Sequence, residues 1–330
     1  MKVLITGANG LLGSNIVRQM INENYEIKIL ARKSSDLSGI EGLKFEICYG
    51  DICNENDLVL ASRDCEIIVH AAANTNQFPT DYKHYEKINV QGTKNVLSAA
   101  KINKISKVIY VSTANVFGFG TKQNPGTELT EFNSFKYNSG YIISKYIAQQ
   151  QVLMEVEKNK VPVVIVNPTF MIGEYDAKPS SGKIILMSIF KKVQFYPSGG
   201  KNFVHVRDVA VGVCNAIKYG KIGESYLLAN ENLSYREFFE KENKATNHKS
   251  IKIKIPALLI KTVGLFGTIF EKLTGKPAKL NLVNARLLCI ENYYSSQKAV
   301  RELKIPQTPI DEAITDAIKW FKENGKLIKT

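Results

Sequence analysis

Short apolar runs and helical periods alternate along the first half of the chain. The apolar runs, rich in β-branched residues, predict strands, and apolar residues at helical spacing predict helices between them. The predicted strands are Val3–Ile5, Tyr25–Ala31, Leu43–Ile47, Ile67–His70, Lys107–Val111 and Val161–Val166. The predicted helices are a segment that ends at Ile21, then Asn54–Ala61, Tyr82–Ile102 and Gly140–Glu157. This alternation predicts an α/β, doubly wound fold, with a parallel sheet covered on both faces.

The pattern loosens past Pro168 into shorter elements. The loops there are rich in Gly, Pro and Ser, notably at Lys178–Gly182 and Pro197–Gly200. A chain of 330 residues also exceeds the usual size of one domain. We therefore predict a larger domain over residues 1–168 and a smaller, mixed domain over residues 169–330, with some elements of the second part returning to the core.

The second half contains three helix signals. Ser234 and Glu237 form a capping box, and Thr308 precedes Pro309 as N-cap and first helical residue. The apolar segment Pro256–Leu273 has two interpretations. It is either a lid over an apolar substrate or an ordinary buried helix.

Composition narrows the range of partners. The formal net charge is +13, but the lysines are dispersed and only seven arginines are present. A solvated basic surface explains this charge without nucleic acid, and an anionic small molecule is all that it requires. Five scattered cysteines form no metal-ligand pair, so we expect reduced thiols in a cytoplasmic protein without a metal. We also expect no signal peptide and no apolar stretch of the roughly 20 residues that span a bilayer.

Three glycines follow the first predicted strand at intervals of three residues, Gly7, Gly10 and Gly13. Gly7 and Gly10 would let the backbone approach a phosphate, and Gly13 would allow the helix to pack closely on the strand. The N-terminus of that helix would attract the anion. The spacing differs from the more familiar G-x-G-x-x-G, and a plain structural turn is the alternative. We predict a site for a dinucleotide phosphate.

A second group of polar residues follows the fifth predicted strand. Thr113 lies past its carboxyl end, where open α/β sheets bind their ligands. Tyr141 and Lys145 are four residues apart on a predicted helix, so their side chains share one face. An ammonium beside a phenol lowers the pKa of the phenol toward that of a working acid–base group, and Thr113 could donate to a substrate oxygen. A surface tyrosine and lysine at a common spacing is the alternative.

Together these motifs resemble the extended short-chain dehydrogenase/reductases, and within them the dihydroflavonol-4-reductase-like group of NAD(P)-dependent epimerases and dehydratases. The resemblance covers nearly the whole chain and implies a Rossmann fold with a smaller substrate domain. It departs from the family pattern at Phe117, where tyrosine is usual, and at Thr113, where serine is commoner. The segments that carry it are Thr6–Gly13, Gly50–Ile52, His70–Ala73, Asn89–Thr93, Thr113, Tyr141, Lys145, Asn167–Thr169, Phe203–Val209 and Trp320–Gly325.

The resemblance also implies roles for individual residues. The expected catalytic residues are Thr113, Tyr141 and Lys145, with Asn89 in support. The expected cofactor contacts are Gly7, Asn9, Gly10, Leu11, Leu12, Gly13, Arg32, Asp51, Ile52, Ala71, Ala72, Ala73, Tyr141, Lys145, Pro168 and Thr169. The expected substrate contacts are Asn115, Phe117 and Phe170.

Four further polar residues in these segments are interpreted one by one. Asp51 is expected to contact the adenine side of the cofactor, with a plain turn residue as the alternative. His70 lies inside an apolar run and is interpreted as a hydrogen-bonded core histidine. Asp208 is interpreted as an interdomain hydrogen-bonding residue. His205 is expected to lie outside the chemistry.

The end of the second predicted strand bears on the choice of cofactor. NAD sites place Asp or Glu there for the ribose hydroxyls, whereas a 2′-phosphate calls for arginine. Arg32 and Lys33 stand at this edge, and the first carboxylate, Asp36, comes later. We predict that NADP is preferred and that NAD remains possible, with a solvated strand edge as the alternative.

The resemblance implies hydride transfer between nicotinamide and a carbonyl or secondary alcohol of a small, apolar or aromatic substrate. A nucleotide-sugar epimerase or dehydratase is the second hypothesis. It is weakened because Lys201 and Asn202 stand where an Arg-Asp pair is common. A non-catalytic dinucleotide sensor on the same fold is the third. A homodimer is possible under each of them.

Overall fold

The computed structural model describes residues 1–327, and its centre is a seven-stranded sheet. The strands are β1 (Lys2–Thr6), β2 (Glu26–Ala31), β3 (Glu46–Tyr49), β4 (Ile67–His70), β5 (Lys107–Val111), β6 (Val163–Pro168), β7 (Phe170–Ile172), β8 (Val193–Tyr196), β9 (Gly200–His205), β10 (Ser225–Leu228), β11 (Glu231–Ser234), β12 (Ile251–Lys254) and β13 (Glu291–Asn292). The order in the sheet is β10-β6-β5-β4-β1-β2-β3, and every neighbouring pair is parallel. The predicted α/β fold class is confirmed.

Helices cover both faces of this sheet. The helices of the described residues, on this sheet and beyond it, are α1 (Leu11–Asn22), α2 (Glu55–Ser62), α3 (Lys83–Tyr85), α4 (Gly92–Ile102), α5 (Gly140–Asn159), α6 (Lys183–Ser188), α7 (Val206–Tyr219), α8 (Tyr235–Ala245), α9 (Ala257–Thr274), α10 (Leu282–Leu288), α11 (Gln297–Leu303) and α12 (Ile310–Glu323). Because side chains alternate along a strand, Val3 and Ile5 pack with α1 and α7, whereas Leu4 packs with α2, α4 and α5. The apolar run of β1 is continuous because both faces are buried.

Some predicted boundaries are wrong. The single helix predicted over Tyr82–Ile102 is divided into α3, a π-helical turn over Glu86–Gln91, and α4. The strand predicted over Leu43–Ile47 begins later, at Glu46, since the backbone N–H of Leu43 bonds to the carbonyl of Ile40 in a turn. In the second place the apolar pattern begins at Leu43 and Phe45, which are partly buried outside any strand.

The second half of the chain both leaves the central sheet and returns to it. A smaller sheet forms around β9, which pairs with β11, β13 and β7. The strands β8 and β12 form a separate two-stranded ribbon. After β9 the chain re-enters the core, since α7 packs beside α1 and β10 is the edge strand next to β6.

The two helix starts predicted in the second half have different outcomes. The capping box of Ser234 and Glu237 is confirmed at the start of α8. The prediction that Thr308 caps a helix beginning at Pro309 is wrong by one residue, because α12 begins at Ile310 with Pro309 as its N-cap. The backbone N–H and hydroxyl of Thr308 instead donate to the carboxylate of Asp208, each over 2.8 Å.

A separate apolar cluster joins α6, α8, α12, β7 and β9. A buried carboxyl group lies beside this cluster. Glu242 on α8 is fully buried, and its oxygens accept hydrogen bonds from Ser188 Oγ at 2.8 Å and Gln194 Nε2 at 2.9 Å. Burial raises the pKa of Glu242 to about 8, although these two hydrogen bonds oppose the shift. Glu242 is therefore protonated in the folded protein at pH values where an exposed glutamate is ionised.

This carboxyl group should make stability fall as the pH rises. The folded state keeps the Glu242 proton up to about pH 8, whereas the unfolded chain releases it near its ordinary pKa of 4.5. The contribution of Glu242 is thus complete below pH 4.5 and is lost as the pH rises to 8. We expect Glu242→Gln to flatten the decline of Tm between pH 5 and 8. The control Glu240→Gln, exposed on the same helix, should leave the decline unchanged; an unaltered decline in Glu242→Gln would contradict the assignment.

Candidate active site

The glycine turn between β1 and α1 is closed by direct backbone contacts. Gly7 has φ +77°, and a Cβ on it would lie 2.6 Å from the backbone nitrogen of Ala72. A Cβ on Gly13 would lie 2.0 Å from the carbonyl oxygen of Gly7. Neither position has room for a side chain, so both glycines are required by the fold of the turn.

Gly10 is placed differently. A Cβ built on it would meet only the carbonyl oxygen of Gly7, at an ordinary 3.6 Å, and the residue is exposed. Gly10 is the N-cap of α1, and no side chain caps that helix. The side chains of Leu11 and Leu12 pack into the core, so no side chain covers the start of this helix. An anionic dinucleotide phosphate fits such a helix start.

The residues predicted on the adenine side lie along the same edge of the sheet. Arg32 and Lys33 follow β2 and are exposed. Asp51 forms a turn, since its Oδ1 accepts the backbone N–H of Cys53 at 2.9 Å and its own N–H donates to Asp57. The side chain of Ile52 packs against the second face of the core. The structure therefore gives Asp51 the turn contact that sequence analysis named as an alternative, and leaves its second carboxylate oxygen for a ligand.

The predicted catalytic residues lie together at the carboxyl end of β5. Thr113 follows this strand and is buried, while Tyr141 and Lys145 lie on the first turns of α5. Thr113 Oγ1 accepts hydrogen bonds from the backbone and side-chain nitrogens of Asn115, both at 3.3 Å. Because both contacts use its lone pairs, the hydroxyl hydrogen of Thr113 remains for donation, and the phenol of Tyr141 is its hydrogen-bond partner here.

Lys145 is held against the end of the strand. Its side chain is 2% exposed, and Nζ donates to the carbonyl oxygen of Val111 at 2.8 Å. The same ammonium lies 4.6 Å from the centre of the Tyr110 ring. Burial lowers the pKa of Lys145 to about 7, since no carboxylate offsets the loss of hydration.

The predicted effect of Lys145 on Tyr141 is wrong in this structure. The pKa of Tyr141 is raised above its ordinary value because burial disfavours the phenolate, and the neighbouring Thr113 hydroxyl only reduces that shift. Burial also destabilises the charged form of Lys145, so its ammonium does not lower the pKa of the Tyr141 phenol. Tyr141 is therefore a protonated phenol at neutral pH.

Asn89 fixes the loop after β4 to α5. It is buried within the π-helical turn, where its Oδ1 accepts the backbone N–H of Asn74 at 2.7 Å. Its Nδ2 donates to the Asn74 carbonyl at 3.1 Å and to Ser144 Oγ at 2.9 Å. Since Ser144 precedes Lys145, this network sets the position of α5 at the site. Turns of π-helix are frequent where a helix serves a functional site.

Asn167 makes a second connection of this kind. Its Nδ2 donates to the Thr113 carbonyl at 3.0 Å and to Gln149 Oε1 on α5 at 2.8 Å. One buried amide therefore joins the ends of β5 and β6 to the helix that carries Tyr141 and Lys145. Pro168 is buried at the end of β6, and Thr169 Oγ1 donates to Asn202 Oδ1 at 2.7 Å.

The predicted substrate contacts are partly used by the fold. The amide of Asn115 also accepts from Asn292 Nδ2 at 3.3 Å, and Phe117 packs against a small cluster around Ala114 and Leu227. Phe170 on β7 meets Phe203 edge to face, with ring centres 5.5 Å apart. Each of the three side chains is only partly buried and keeps a free surface.

Lys201 is a feature of this side of the site that sequence analysis did not assign to binding. It is half-buried on β9, with Nζ 5.2 Å from the centre of the Phe170 ring. Burial lowers its pKa to about 8. No carboxylate pairs with it within residues 1–327. The departure from the usual Arg-Asp pair at this position was the signal that could have identified it.

Comparison with known proteins identifies the family. The model of the NAD dependent epimerase/dehydratase family matches residues 3–229, which include the glycine turn and all three predicted catalytic residues. The chain belongs to this family. It is an enzyme of the extended short-chain dehydrogenase/reductase type, as predicted, rather than a non-catalytic sensor.

Individual relatives extend over nearly the full chain. A protein of Synechocystis named "Putative dihydroflavonol 4-reductase" is 31% identical, over 97% of this chain and 94% of its own. Sterol demethylase protein B of Methylococcus capsulatus is 27% identical, over 99% of this chain and 100% of its own. The crystal structure of gox2253 superposes with a TM-score of 0.85 and 31% identity, and covers 99% of both chains.

His70 is the hydrogen-bonded core histidine that was predicted, and Asp208 makes hydrogen bonds, although with a residue of the same predicted domain. Both ring nitrogens of His70 are paired, with Thr6 Oγ1 at 2.8 Å and Thr93 Oγ1 at 3.1 Å, and burial lowers its pKa to about 3. His205 is buried, and its Nε2 lies 3.1 Å from Asp316 Oδ2. Asp208 binds Thr308, as described above.

Gly10 and Gly13 provide a matched test of the turn. In Gly13→Ala the new methyl group would overlap the Gly7 carbonyl, so we expect loss of Tm by several degrees as well as loss of cofactor binding. In Gly10→Ala the methyl group meets only open space and an ordinary contact, so Tm should stay within about one degree while cofactor affinity falls. Thermal melts and cofactor titrations measure the two effects. Equal Tm in both variants would contradict the geometry.

Proposed function

We propose that this enzyme transfers a hydride between a nicotinamide dinucleotide and a carbonyl or secondary alcohol of a small, apolar or aromatic substrate. The observation that carries the proposal is the grouping of Thr113, Tyr141 and Lys145 at the carboxyl end of β5. Buried amides hold this grouping from two sides, through Asn89 and Asn167. Precise positioning of an acid–base pair is what catalysis at such an edge requires.

The three residues have separate tasks in the reduction of a carbonyl. A bound nicotinamide would supply the hydride, whose electron pair forms the new carbon–hydrogen bond. Tyr141 donates its phenolic proton to the carbonyl oxygen as negative charge develops there, and its raised pKa keeps that proton in place at neutral pH. Thr113, whose hydroxyl bonds to the Tyr141 phenol in this structure, donates its hydroxyl hydrogen to the same oxygen once the substrate is bound.

Lys145 supports this proton transfer. Lys145 lies near the start of α5, where its side chain would contact the ribose of the bound cofactor. Its charged form would stabilise the phenolate that Tyr141 becomes. Because burial brings the pKa of Lys145 to about 7, a nearby anion would return it to the charged state readily. Its role is thus coupled to the charge that forms in the reaction.

The walls of the site support an apolar substrate. Phe117 and Phe170 expose part of their rings, and the ring of Phe119 lies 6.2 Å from that of Tyr137.

The amide of Asn202, beside Lys201, is used entirely by the fold. It donates to the Asn230 carbonyl and to Asn232 Oδ1. A pair of arginine and aspartate for a sugar diphosphate is therefore replaced by one lysine and a structural amide.

A nucleotide-sugar epimerase or dehydratase is the second candidate, and Lys201 is the observation that favours it. A half-buried lysine without a carboxylate partner suits an anionic group of a substrate. An assay of NADPH and NADH oxidation with a panel of aromatic and aliphatic ketones and aldehydes tests the first proposal. Turnover of nucleotide sugars without net cofactor oxidation would favour the second.

Tyr141→Phe should lower kcat by at least about 100-fold, because the general acid is lost while the ring is retained. Cofactor affinity should remain nearly unchanged. The control is Tyr146→Phe, which alters the next tyrosine of α5, whose ring stacks on Phe132. Steady-state kinetics and cofactor titration measure both variants.

Lys145→Met provides the contrast to Tyr141→Phe. If Lys145 holds the ribose as well as stabilising the phenolate, this variant should lose both turnover and cofactor affinity. A cofactor Kd equal to that of the wild type would contradict the ribose contact. Substantial activity in Tyr141→Phe would show that another group is the acid.

We further propose that NADP is preferred over NAD, because Arg32 is exposed at the end of β2 with no acidic residue beside it in sequence. Arg32→Asp should weaken NADP binding by roughly tenfold to a hundredfold, since a charged hydrogen bond is worth about 1.5–3 kcal/mol. The new carboxylate should also favour the ribose hydroxyls of NAD. Titration with both cofactors checks this.

The control for Arg32→Asp is Arg63→Asp, which makes the same change of charge at the exposed end of α2. It should leave the ratio of the two affinities unchanged. The NADP preference would be wrong if the wild type bound NAD as tightly as NADP. An unchanged ratio in Arg32→Asp would show that Arg32 is a solvated strand edge.

A further inference from the structure

Helix α9 turns its apolar side outward. An ordinary surface helix buries its apolar side and exposes polar residues. In α9 only Ile260 and Gly264 are buried, whereas eight large apolar side chains are 44–80% exposed. These eight residues, here called the α9 apolar face, are Leu258, Leu259, Val263, Leu265, Phe266, Ile269, Phe270 and Leu273.

The inner side of α9 is fully used by the segment that includes α10. A Cβ on Gly264 would lie 2.5 Å from the Cβ of Ala285, so the two backbones are in close contact. Thr268 Oγ1 accepts the backbone N–H of Leu282 at 2.9 Å, and Glu271 Oε1 accepts that of Ala278 at 3.1 Å. Helical positions advance by about 100° per residue, which places the apolar face directly opposite these contacts. The apolar face therefore cannot be buried by the part of the chain that α9 packs against.

The ribbon that leads into α9 has the same property. Val193 pairs with Ile251 and Phe195 with Ile253, so these four residues share one face of the β8–β12 ribbon. All four are exposed, by 36–67%. The opposite face carries the buried Gln194. Two successive elements thus present several large apolar side chains to solvent, which is typical of an interaction surface.

The charges around these elements are nearly all positive. Residues 249–279 contain seven lysines and one acidic residue, and that residue, Glu271, is turned inward to Ala278. Within residues 1–327 none of the seven lysines forms a salt bridge. Lys261 and Lys272 are eleven residues apart, so they lie along one line at the edge of the apolar face. A helix with large apolar residues on one side and lysines beside them is typical of proteins that lie on anionic bilayers.

From this arrangement we propose that α9 and the β8–β12 ribbon form a surface that binds peripherally to anionic lipid bilayers. The apolar face enters the boundary between headgroups and acyl chains, and the surrounding lysines contact lipid phosphates. In the described part of the chain no helix has both the length and the apolar character needed to cross a membrane. A second copy of the chain is a poorer occupant, because two such faces would bring two sets of unpaired lysines together.

Vesicle binding tests the proposal with the full-length protein. We expect cosedimentation with vesicles of phosphatidylcholine containing 30% phosphatidylglycerol, and at least tenfold weaker binding to pure phosphatidylcholine. Raising the salt from 50 to 500 mM should weaken the anionic component. The double variant Leu258→Ser, Phe266→Ser should lose binding by at least tenfold. Leu129→Ser, which removes an apolar residue exposed elsewhere, should bind as the wild type does.

A matched pair of charge variants separates this surface from the general positive charge. Lys261→Glu, Lys272→Glu should weaken binding to anionic vesicles by at least tenfold. Lys319→Glu, Lys322→Glu makes the same change of charge on α12, where both lysines are exposed, and should have little effect. Emission of Phe266→Trp should shift to shorter wavelength with anionic vesicles. These readouts do not depend on activity, so failure of the proposed reaction leaves them intact.

Four results would overturn the proposal. One is the absence of vesicle binding at low salt, and another is equal loss of binding in both pairs of lysine variants. The third is a concentration-dependent dimer, measured by analytical ultracentrifugation, that Leu258→Ser, Phe266→Ser abolishes without vesicles. That result would make the α9 apolar face a subunit interface. A change confined to the KM of the double serine variant, with vesicle binding retained, would make it a substrate lid.

Discussion

The close approach of three backbone segments at the carboxyl edge of the sheet is the constraint on which the site depends. Gly7 adopts φ +77° beside Ala72, and Gly13 leaves no room for a side chain against the Gly7 carbonyl. This contact brings the start of α1 to the end of β4 without any capping side chain. Because these backbones touch, the start of α1 lies at the same edge of the sheet as Thr113, the edge at which open α/β sheets bind their ligands.

Burial gives the residues at this edge their chemical properties. Lys145 is desolvated and has its pKa lowered to about 7, whereas burial raises the pKa of the Tyr141 phenol. A proton donor and a readily recharged ammonium therefore lie on one face of α5. The amides of Asn89 and Asn167 bond to the surrounding backbone and to α5, and so hold this helix in place.

Two elements of the second half expose apolar side chains instead of burying them. The clusters around the central sheet bury their apolar residues on both faces, but α9 and the β8–β12 ribbon expose theirs. The helix is fixed by its glycine contacts with the α10 segment, which leaves its large side chains outside. The lysines beside this surface form no salt bridge within residues 1–327, so the surface favours an apolar partner that also carries negative charge.

Local pattern by itself determined the α/β class, the bounds of β4 and β5, and the choice of Thr113, Tyr141 and Lys145, because strand alternation and helical spacing depend on neighbours in sequence. It could not place the break in the helix over Tyr82–Ile102 or the return of β10 to the sheet. It also could not predict that the apolar side of α9 faces solvent. Those features depend on long-range contacts. Tertiary structure also decided the pKa values, since the spacing of Tyr141 and Lys145 predicts proximity but not the desolvation that raises one pKa and lowers the other.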